Sequence, residues 1–303
     1  MADLPDRLLR LSFRPPYDWQ HASAFLAARA LPGIERVDSD GYARTIATPR
    51  GHAIVRVRPI ENASALELRV RGAAPAELFH ISSVARRMFD VSADPAAIAL
   101  ALRTDGRLRP LVDARPGLRI PGVWDPFECA VRAVLGQQVS VAAGRTLAMR
   151  VVARAGRALT GAGEGLTHLF PTAAALATAD LGGLGITGGR IGALHALARA
   201  VASGAVDLHG TVGHVTAALV ALPCIGYWTA QYVALRALGE PDAFPREDLI
   251  LRRAASRTSQ PLTARQLEER AEAWRPWRGD AVLHLWAAAA NARSEERCAH
   301  AMA

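Results

Sequence analysis

The chain contains no lysine, so all 36 of its basic side chains are arginines. An enzyme that forms a Schiff base needs an amine nucleophile, and lysine is the side chain that ordinarily supplies it. Arginine cannot replace lysine there, because its guanidinium stays protonated at neutral pH. GC-rich coding accounts for this composition, but its chemical consequence holds whatever the cause: a lysine imine is excluded.

Cysteine is also scarce, and Cys129, Cys224 and Cys298 are scattered along the chain. Their spacing fits neither a disulfide framework nor a metal-binding motif. Five histidines lack metal spacing too and are interpreted as surface or core residues: His168, His195, His209, His214 and His284. We therefore expect that no cofactor is required.

Long apolar segments are missing. The longest apolar run near the end covers residues 285–290, far too few to span a bilayer. The first residues include Asp3 and Asp6 and lack the apolar stretch of a signal peptide. These features predict a cytoplasmic protein of the bacterial type with no membrane association.

What the chain has is length, apolar residues and positive charge. Its 303 residues suffice for two or three domains, and half of them are apolar. The formal net charge is +8 and the pI is about 10.5. Such a balance favours a polyanionic partner, although it does not locate the binding site.

The spacing of apolar residues changes from a strand pattern to a helix pattern about one third of the way along the chain. Four early segments alternate apolar and polar side chains and are predicted strands: 8–13, 42–48, 52–58 and 65–71. Helices are predicted after Asp18 and over 77–89, which together indicate an α+β unit with an antiparallel sheet. Nine helices are predicted after residue 95: 96–102, 126–135, 141–155, 190–203, 211–222, 228–238, 249–257, 264–274 and 281–292.

A tight hairpin, Leu222-Pro-Cys-Ile-Gly226, separates two of these helices. Gly226 can adopt a positive φ and has no Cβ, so another backbone can approach it closely. The next helix begins with unpaired N–H groups, which form an anion site. On a basic protein this pattern predicts a binding site for a nucleic-acid phosphate.

Asp248 follows Gly226 by 22 residues and opens the predicted helix 249–257. Taken alone, it is a good N-cap with Arg252 as an ion-pair partner. Together with the hairpin it is a candidate catalytic carboxylate, and the two interpretations are compatible because a capping carboxylate stays ionised near the helix dipole. Glu247 is the adjacent alternative.

This succession of motifs resembles the helix-hairpin-helix–Gly/Pro–Asp superfamily of DNA glycosylases, and within it the DNA-3-methyladenine glycosylase II branch. The resemblance covers most of the chain and includes FRPPYDW at 13–19, PGLRIPG at 116–122, AVLGQQVS at 133–140 and WRPWR at 274–278. It implies an N-terminal α+β sheet domain followed by a mostly helical two-domain body. The implied domains are 1–95, then 123–240 with the hairpin, then 96–122 plus 241–303 with the catalytic aspartate.

The resemblance implies a monomeric enzyme that hydrolyses the N-glycosidic bond of alkylated bases, chiefly 3-methyladenine, in double-stranded DNA. Asp248 would stabilise the positive charge that develops on the sugar and orient water. One carboxylate suffices when the leaving base is cationic, as N-alkylated purines are. The lyases of this superfamily carry a lysine at the position of Trp228, so an intact abasic strand is the expected product.

The resemblance also implies the remaining site residues. A flipped base would be held by Trp228, Tyr232, Trp286, Phe25 and Gln137. Cys224, Gly226, Thr229 and Gln138 would contact DNA, with Gln138 filling the space that the base leaves. Backbone carbonyls would hold a monovalent cation, Na⁺ or K⁺, and they belong to Val220, Leu222 and Ile225.

These assignments have structural alternatives. Aromatic residues at helical spacing commonly belong to the hydrophobic core, and Gln137-Gln138 is equally compatible with a polar helix turn that has no special function. Two residues depart from the pattern: Cys224 replaces the usual glycine, and Ala287 replaces a frequent tyrosine, which is expected to widen the pocket. Two other functions stay open. One is a non-catalytic helix-hairpin-helix DNA-binding protein, against which Asp248 and the aromatic set argue. The other is a glycosylase of the same fold for deaminated or oxidised purines.

Overall fold

A five-stranded antiparallel sheet opens the computed structural model, which describes residues 5–160 and 163–301 and side chains as far as residue 292. Cys298 lies outside the described side chains. The strands are β1 (Arg7–Ser12), β2 (Glu35–Asp38), β3 (Gly41–Thr48), β4 (Gly51–Pro59) and β5 (Ala65–Arg71). Their order in the sheet is β1-β5-β4-β3-β2, so β1 and β2 form its edges.

Two helices complete this part of the protein. Helix α1 (Trp19–Ala27) is capped by Asp18, whose carboxylate accepts from the His21 N–H, as the sequence predicted. Helix α2 (Leu78–Met88) follows a 3₁₀ turn at Pro75–Glu77. Both helices contribute side chains to the same apolar core as the strands. The predicted α+β unit is confirmed. The structure has one strand more than the sequence indicated, since β2 has only four residues and was not predicted.

The rest of the chain is mostly helical, and each of the nine predicted helices is present. The helices are α3 (Pro95–Leu102), α4 (Arg109–Ala114), α5 (Pro126–Leu135), α6 (Val141–Ala155), α7 (Ala173–Thr178), α8 (Gly188–Ala202), α9 (Val212–Val220), α10 (Tyr227–Val233), α11 (Leu249–Ala254), α12 (Ala264–Ala271) and α13 (Arg278–Ala301). A π-helical turn, Ala234–Leu238, continues α10, and a 3₁₀ turn, Glu272–Trp274, continues α12. The prediction missed α4 and α7, which have six residues each, and the two-residue strands β6 (Arg157–Ala158) and β7 (His168–Leu169).

Two apolar cores lie in this helical body. The first draws on α5, α6, α8, α9 and α10, and the second on α3, α4 and α11 to α13. The helix formed by α10 and its π turn belongs to both, because Val233 lies in the first core while Ala234 and Leu235 lie in the second. This one helix therefore fixes how the two halves of the body meet. Within the described residues, no helix is both long and apolar enough to cross a membrane.

A buried ionic cluster joins the sheet to the helical body. The Glu35 carboxylate accepts from the Tyr42 hydroxyl at 2.7 Å and from Arg132 at 2.9 Å. Arg44 donates to Glu128 at 2.7 Å, and Arg132 donates to the other Glu128 oxygen at the same distance. Each buried carboxylate thus faces guanidinium groups, which offsets the cost of removing the charges from water.

A second buried group of charges lies where the segment after α4 meets the start of α13. Arg119 is 1% exposed and donates to the carbonyls of Ala93 and Pro16 at 3.0 and 3.1 Å. Asp90 accepts from the Ile120 N–H, and burial raises the pKa of its carboxyl to about 6. Burial, with Asp90 nearby, also raises the pKa of Asp280 well above its ordinary value. Two acids and one guanidinium therefore share one low-dielectric site.

This arrangement predicts that Asp90 makes the stability of the fold depend on pH. A carboxyl whose folded-state pKa is raised from 3.8 to about 6 stabilises the fold below pH 4, and that contribution is lost as pH rises through 6. The loss should amount to roughly 3 kcal/mol. Asp90→Asn keeps a neutral acceptor for Ile120 and should remove this loss. Urea unfolding of both proteins at pH 4.5 and 7.5 should show about 2 kcal/mol of this loss, since part of it has already occurred by pH 4.5, and parallel pH profiles would contradict the prediction.

Candidate active site

Asp248 is held by both carboxylate oxygens. Its Oδ1 accepts from the Leu251 N–H at 2.9 Å, which makes Asp248 the N-cap of α11 as predicted. Its Oδ2 accepts from the indole N–H of Trp228, also at 2.9 Å. The expected ion pair with Arg252 is absent, because that guanidinium donates to the Leu262 carbonyl. The carboxylate is therefore fixed in one orientation by two neutral donors.

A cavity of about 350 Å³ opens in front of this carboxylate. Trp228 and Tyr232, one turn apart on α10, stack with ring centroids 5.3 Å apart and planes 16° apart. Trp286 on α13 adds a third ring, 6.3 Å from Tyr232. All three rings line the cavity beside Asp248, and their function as a base pocket stays a prediction. Tyr232 and Trp286 also pack against the apolar cores, so the core interpretation of these aromatics holds for part of their surface.

Phe25 does not line the cavity. Its ring contacts two guanidinium groups, with the Cζ atoms of Arg29 and Arg236 at 3.6 and 4.6 Å from its centroid. Both arginines line the cavity, and Arg236 donates to the Tyr232 hydroxyl at 2.8 Å. Burial, chiefly, lowers the pKa of Arg29 to about 10. Phe25 thus acts on the cavity only through the arginines, which the sequence did not single out.

Ala287 likewise lies away from the cavity wall. It is 6% exposed and belongs to the second core of the helical body. On α13 itself, the small side chains that line the cavity are Ala289 and Ala290. The expectation that Ala287 widens the pocket is therefore wrong, because that position turns inward.

The hairpin between α9 and α10 places its left-handed residue at Cys224, where φ is +59°. Gly226 instead has extended backbone, with φ −91° and ψ 177°, and a Cβ built there meets no atom within 4 Å. Gly226 therefore does not adopt the positive φ that is open to a glycine, and the left-handed residue of the hairpin is Cys224. A glycine at 226 is thus not required by the chain's own contacts.

Two other predicted residues have partners inside the protein. Thr229 is 2% exposed, and its hydroxyl accepts from the Gln137 side-chain amide at 3.1 Å, so its side chain does not reach the surface to contact DNA as expected. Gln137 also donates to the Cys224 carbonyl at 3.0 Å, and it does not line the cavity. Gln138 is exposed with φ +54°, next to Val139 on the cavity wall.

The cavity extends beyond the aromatic rings to a charged wall. Glu35, Arg44, Glu128 and Arg132 of the buried ionic cluster line it, and Arg145 lies beside them. Sequence reasoning missed these residues, because none of them carries a motif. All but Glu35 lie inside a predicted strand or helix, and Glu35 lies between two predicted elements. One signal was available for Arg236, a charged residue four positions after Tyr232 in an otherwise apolar helix.

Comparison with known proteins matches both parts of the chain. Residues 8–125 match the AlkA N-terminal domain, and residues 131–278 match the family described as HhH-GPD superfamily base excision DNA repair protein. The chain belongs to the HhH-GPD superfamily. The resemblance drawn from its motifs is thereby confirmed. The first matched region extends past the predicted boundary at residue 95, so the division into domains stays a prediction.

Relatives of this superfamily member cover most of its length. It is 36% identical over 281 residues to DNA-3-methyladenine glycosylase 2 of Escherichia coli, covering 91% of this chain and 95% of that protein. It is 40% identical over 280 residues to the Mycobacterium tuberculosis protein named "Probable bifunctional transcriptional activator/DNA repair enzyme AlkA". That match covers 92% of this chain but 56% of the relative, so the chain spans about half the length of the Mycobacterium tuberculosis protein.

Solved structures show the same fold. The structure titled 3-methyladenine DNA-glycosylase from Archaeoglobus fulgidus superposes with a TM-score of 0.80 over 93% of this chain and 98% of that one. The two sequences are 22% identical, so this likeness concerns the fold. The sheet domain followed by a helical HhH-GPD body is thus the architecture of this chain.

Cys224→Gly should stabilise the protein. A side chain in the left-handed region costs roughly 1–2 kcal/mol, and the greater freedom of glycine in the unfolded chain returns about half of that. A net gain of about 0.5–1 kcal/mol in unfolding free energy is expected from urea denaturation. Gly226→Ala is the matched control, since its extended backbone accepts a Cβ, and it should leave stability unchanged or slightly higher. The reverse ranking would show that the left-handed turn is not the strained point of the hairpin.

Proposed function

We propose that the protein is a monofunctional DNA glycosylase that hydrolyses the N-glycosidic bond of 3-methyladenine and related N-alkylpurines in double-stranded DNA and leaves an abasic site. The observation that carries this proposal is the Asp248 carboxylate, anchored by two N–H donors at the edge of an aromatic cavity. A module that only bound DNA would have no use for a fixed carboxylate facing a cavity of that size.

The cavity supplies what base release requires. A base turned out of the duplex stacks against Trp228, Tyr232 and Trp286, and the faces of these rings attract a positively charged alkylated purine. Bond cleavage builds positive charge on the sugar, which the Asp248 carboxylate stabilises while it orients the attacking water. A leaving base that is already cationic needs no second carboxylate as a general acid. Asp248 therefore performs the chemistry, and the rings hold the base.

The hairpin and the loop before α6 are proposed to hold the DNA. Main-chain N–H groups around Cys224 and Gly226 would meet a phosphate, and the open space beside Gly226 leaves room for it. Gln138, exposed on its loop, would occupy the gap left by the flipped base. The proposed enzyme acts as a monomer in the cytoplasm, where its DNA substrate lies.

A monovalent cation, Na⁺ or K⁺, is proposed to bind the backbone carbonyls of Val220, Leu222 and Ile225. Val220 is the last residue of α9, so its carbonyl has no partner within the helix. The Leu222 carbonyl accepts from the Ile225 N–H at 3.3 Å and has a second lone pair to offer. This donor set of neutral oxygens fits an alkali ion, which would neutralise part of the phosphate charge. The reaction itself requires no cofactor in this proposal.

Asp248→Asn should reduce base release by at least about 100-fold, because it removes the charge that stabilises the sugar cation. The asparagine still caps α11 through its carbonyl oxygen, but its amide opposes the Trp228 N–H. DNA affinity should stay equal or rise, since a negative charge near the phosphates is lost. The measurements are chromatography of bases released from methylated DNA and a binding titration. Glu247→Gln, at an exposed position outside the cavity, is the matched control and should act normally.

If the protein released hypoxanthine or 8-oxoguanine but no methylated purine, the substrate would be a deaminated or oxidised purine and not the alkylated purine proposed here. Normal turnover by Asp248→Asn would remove the catalytic role from this residue.

The product strand should be an intact abasic strand. A lyase holds the sugar as an imine on an amine before it cuts the strand, and this chain has no lysine to form one. Trp228, at the position where lyases of the superfamily carry lysine, uses its indole N–H to anchor Asp248. Strand breaks should therefore form only after heating in alkali, and borohydride should trap no protein–DNA adduct. Efficient trapping would point to the N-terminal amine as the nucleophile.

A further inference from the structure

Two exposed residues with left-handed backbone lie in the loops that are proposed to meet DNA. Gln138, at φ +54°, lies between α5 and α6, and Cys224, at φ +59°, lies in the hairpin between α9 and α10. These loops are 86 positions apart in the sequence. Their relative position therefore depends on whatever connects them in space.

The side chain of Gln137 makes that connection. Its amide nitrogen carries two protons and has two acceptors, the Cys224 carbonyl at 3.0 Å and the Thr229 hydroxyl at 3.1 Å. Its own backbone carbonyl accepts from the Arg190 guanidinium on α8. Gln137 is thus tied to the hairpin on one side and to α8 on the other, and it directly precedes Gln138.

The same connection leads to the catalytic carboxylate. Thr229 is buried on α10, and the residue before it, Trp228, donates to Asp248. A short series of contacts therefore runs from the Gln138 loop through Gln137 and α10 to Asp248. Gln137 itself does not line the cavity, so it cannot act by touching the base.

We propose that Gln137 is a positioning residue that couples the hairpin's grip on the phosphate backbone to insertion of the Gln138 loop and so to base flipping. This inference rests on the proposed function. When the hairpin docks on a phosphate, the amide bridge places Gln138 at the vacated position in the duplex. Without the bridge the two loops move independently, and the flipped state is populated less.

The test compares one lesion in two settings. Gln137→Leu keeps a side chain of similar size but removes both donated hydrogen bonds. Single-turnover release of 3-methyladenine from an ordinary duplex should slow by about 10-fold, the cost of two neutral hydrogen bonds that act on flipping. Release of the same base from single-stranded DNA, where little unstacking is needed, should change by no more than about 2-fold. Equal losses in both settings would show a merely structural role and overturn the proposal, as would no loss in either.

A second variant, at the other end of the hydrogen bond, tests the same bridge and keeps the proposal testable if Gln137→Leu does not fold. Thr229→Val removes the hydroxyl with little change in shape, and it should slow duplex release in the same selective way but less than Gln137→Leu. The double variant should be no slower than Gln137→Leu alone, because both changes break one bridge. Multiplicative losses would contradict the coupling. Thermal unfolding of each variant identifies any that does not fold, and Thr229→Val then carries the test.

A fluorescence measurement separates this inference from the proposed function. 2-Aminopurine next to an uncleavable abasic analogue brightens when the inserted loop unstacks it, so it reports insertion of the Gln138 loop without base release. A weaker signal with Gln137→Leu supports the coupling whatever base the enzyme excises. An unchanged signal overturns it. Failure of the wild-type protein to release any methylated purine would overturn the proposed substrate and leave this readout valid.

Discussion

One hydrogen bond, from the indole of Trp228 to the carboxylate of Asp248, joins the two halves of the helical body at the cavity. Trp228 belongs to the helix that also carries Tyr232, and Asp248 caps α11 in the other half. Because the helix formed by α10 and its π turn contributes to both apolar cores, the distance between indole and carboxylate is set by packing that extends well beyond the cavity.

The cavity wall brings together charges that are costly to bury. Glu35 and Glu128 are each paired with guanidinium groups, so their desolvation is offset by close ion pairs. Arg236 is stabilised differently, by the carbonyls of Pro121 and Gly122 and the Tyr232 hydroxyl. Its positive charge therefore remains uncancelled by those partners, next to the ring of Tyr232. The cavity wall therefore carries both the Asp248 carboxylate and an arginine that lies 5.5 Å from the centroid of the Tyr232 ring.

Much of this could be predicted from the sequence, because the decisive features are local. The bounds of α5 and α6 follow from Asp125 and Ser140 as N-caps, and the Asp248 cap follows from its place before an apolar helix. The contacts of Gln137, Thr229 and Phe25 could not be predicted, since a side chain's partner depends on tertiary packing. Gln137 lies in a loop motif associated with DNA, yet its amide is satisfied by a hairpin 87 residues away. The local sequence pattern predicts the helix or loop in which a residue lies, but long-range packing determines which way its side chain faces.

The position of Trp228 shows why the type of chemistry and the architecture of the site are linked. A lysine there could supply an imine-forming amine, but it would remove both the ring that stacks on Tyr232 and the N–H that holds Asp248. An ammonium group would also form an ion pair with the carboxylate rather than donate to it as a neutral group, which would weaken its action on a sugar cation. The same residue therefore cannot serve hydrolysis and imine formation equally well. In the proposed mechanism water is the nucleophile, and both the indole at position 228 and the lack of lysine elsewhere in the chain support that proposal.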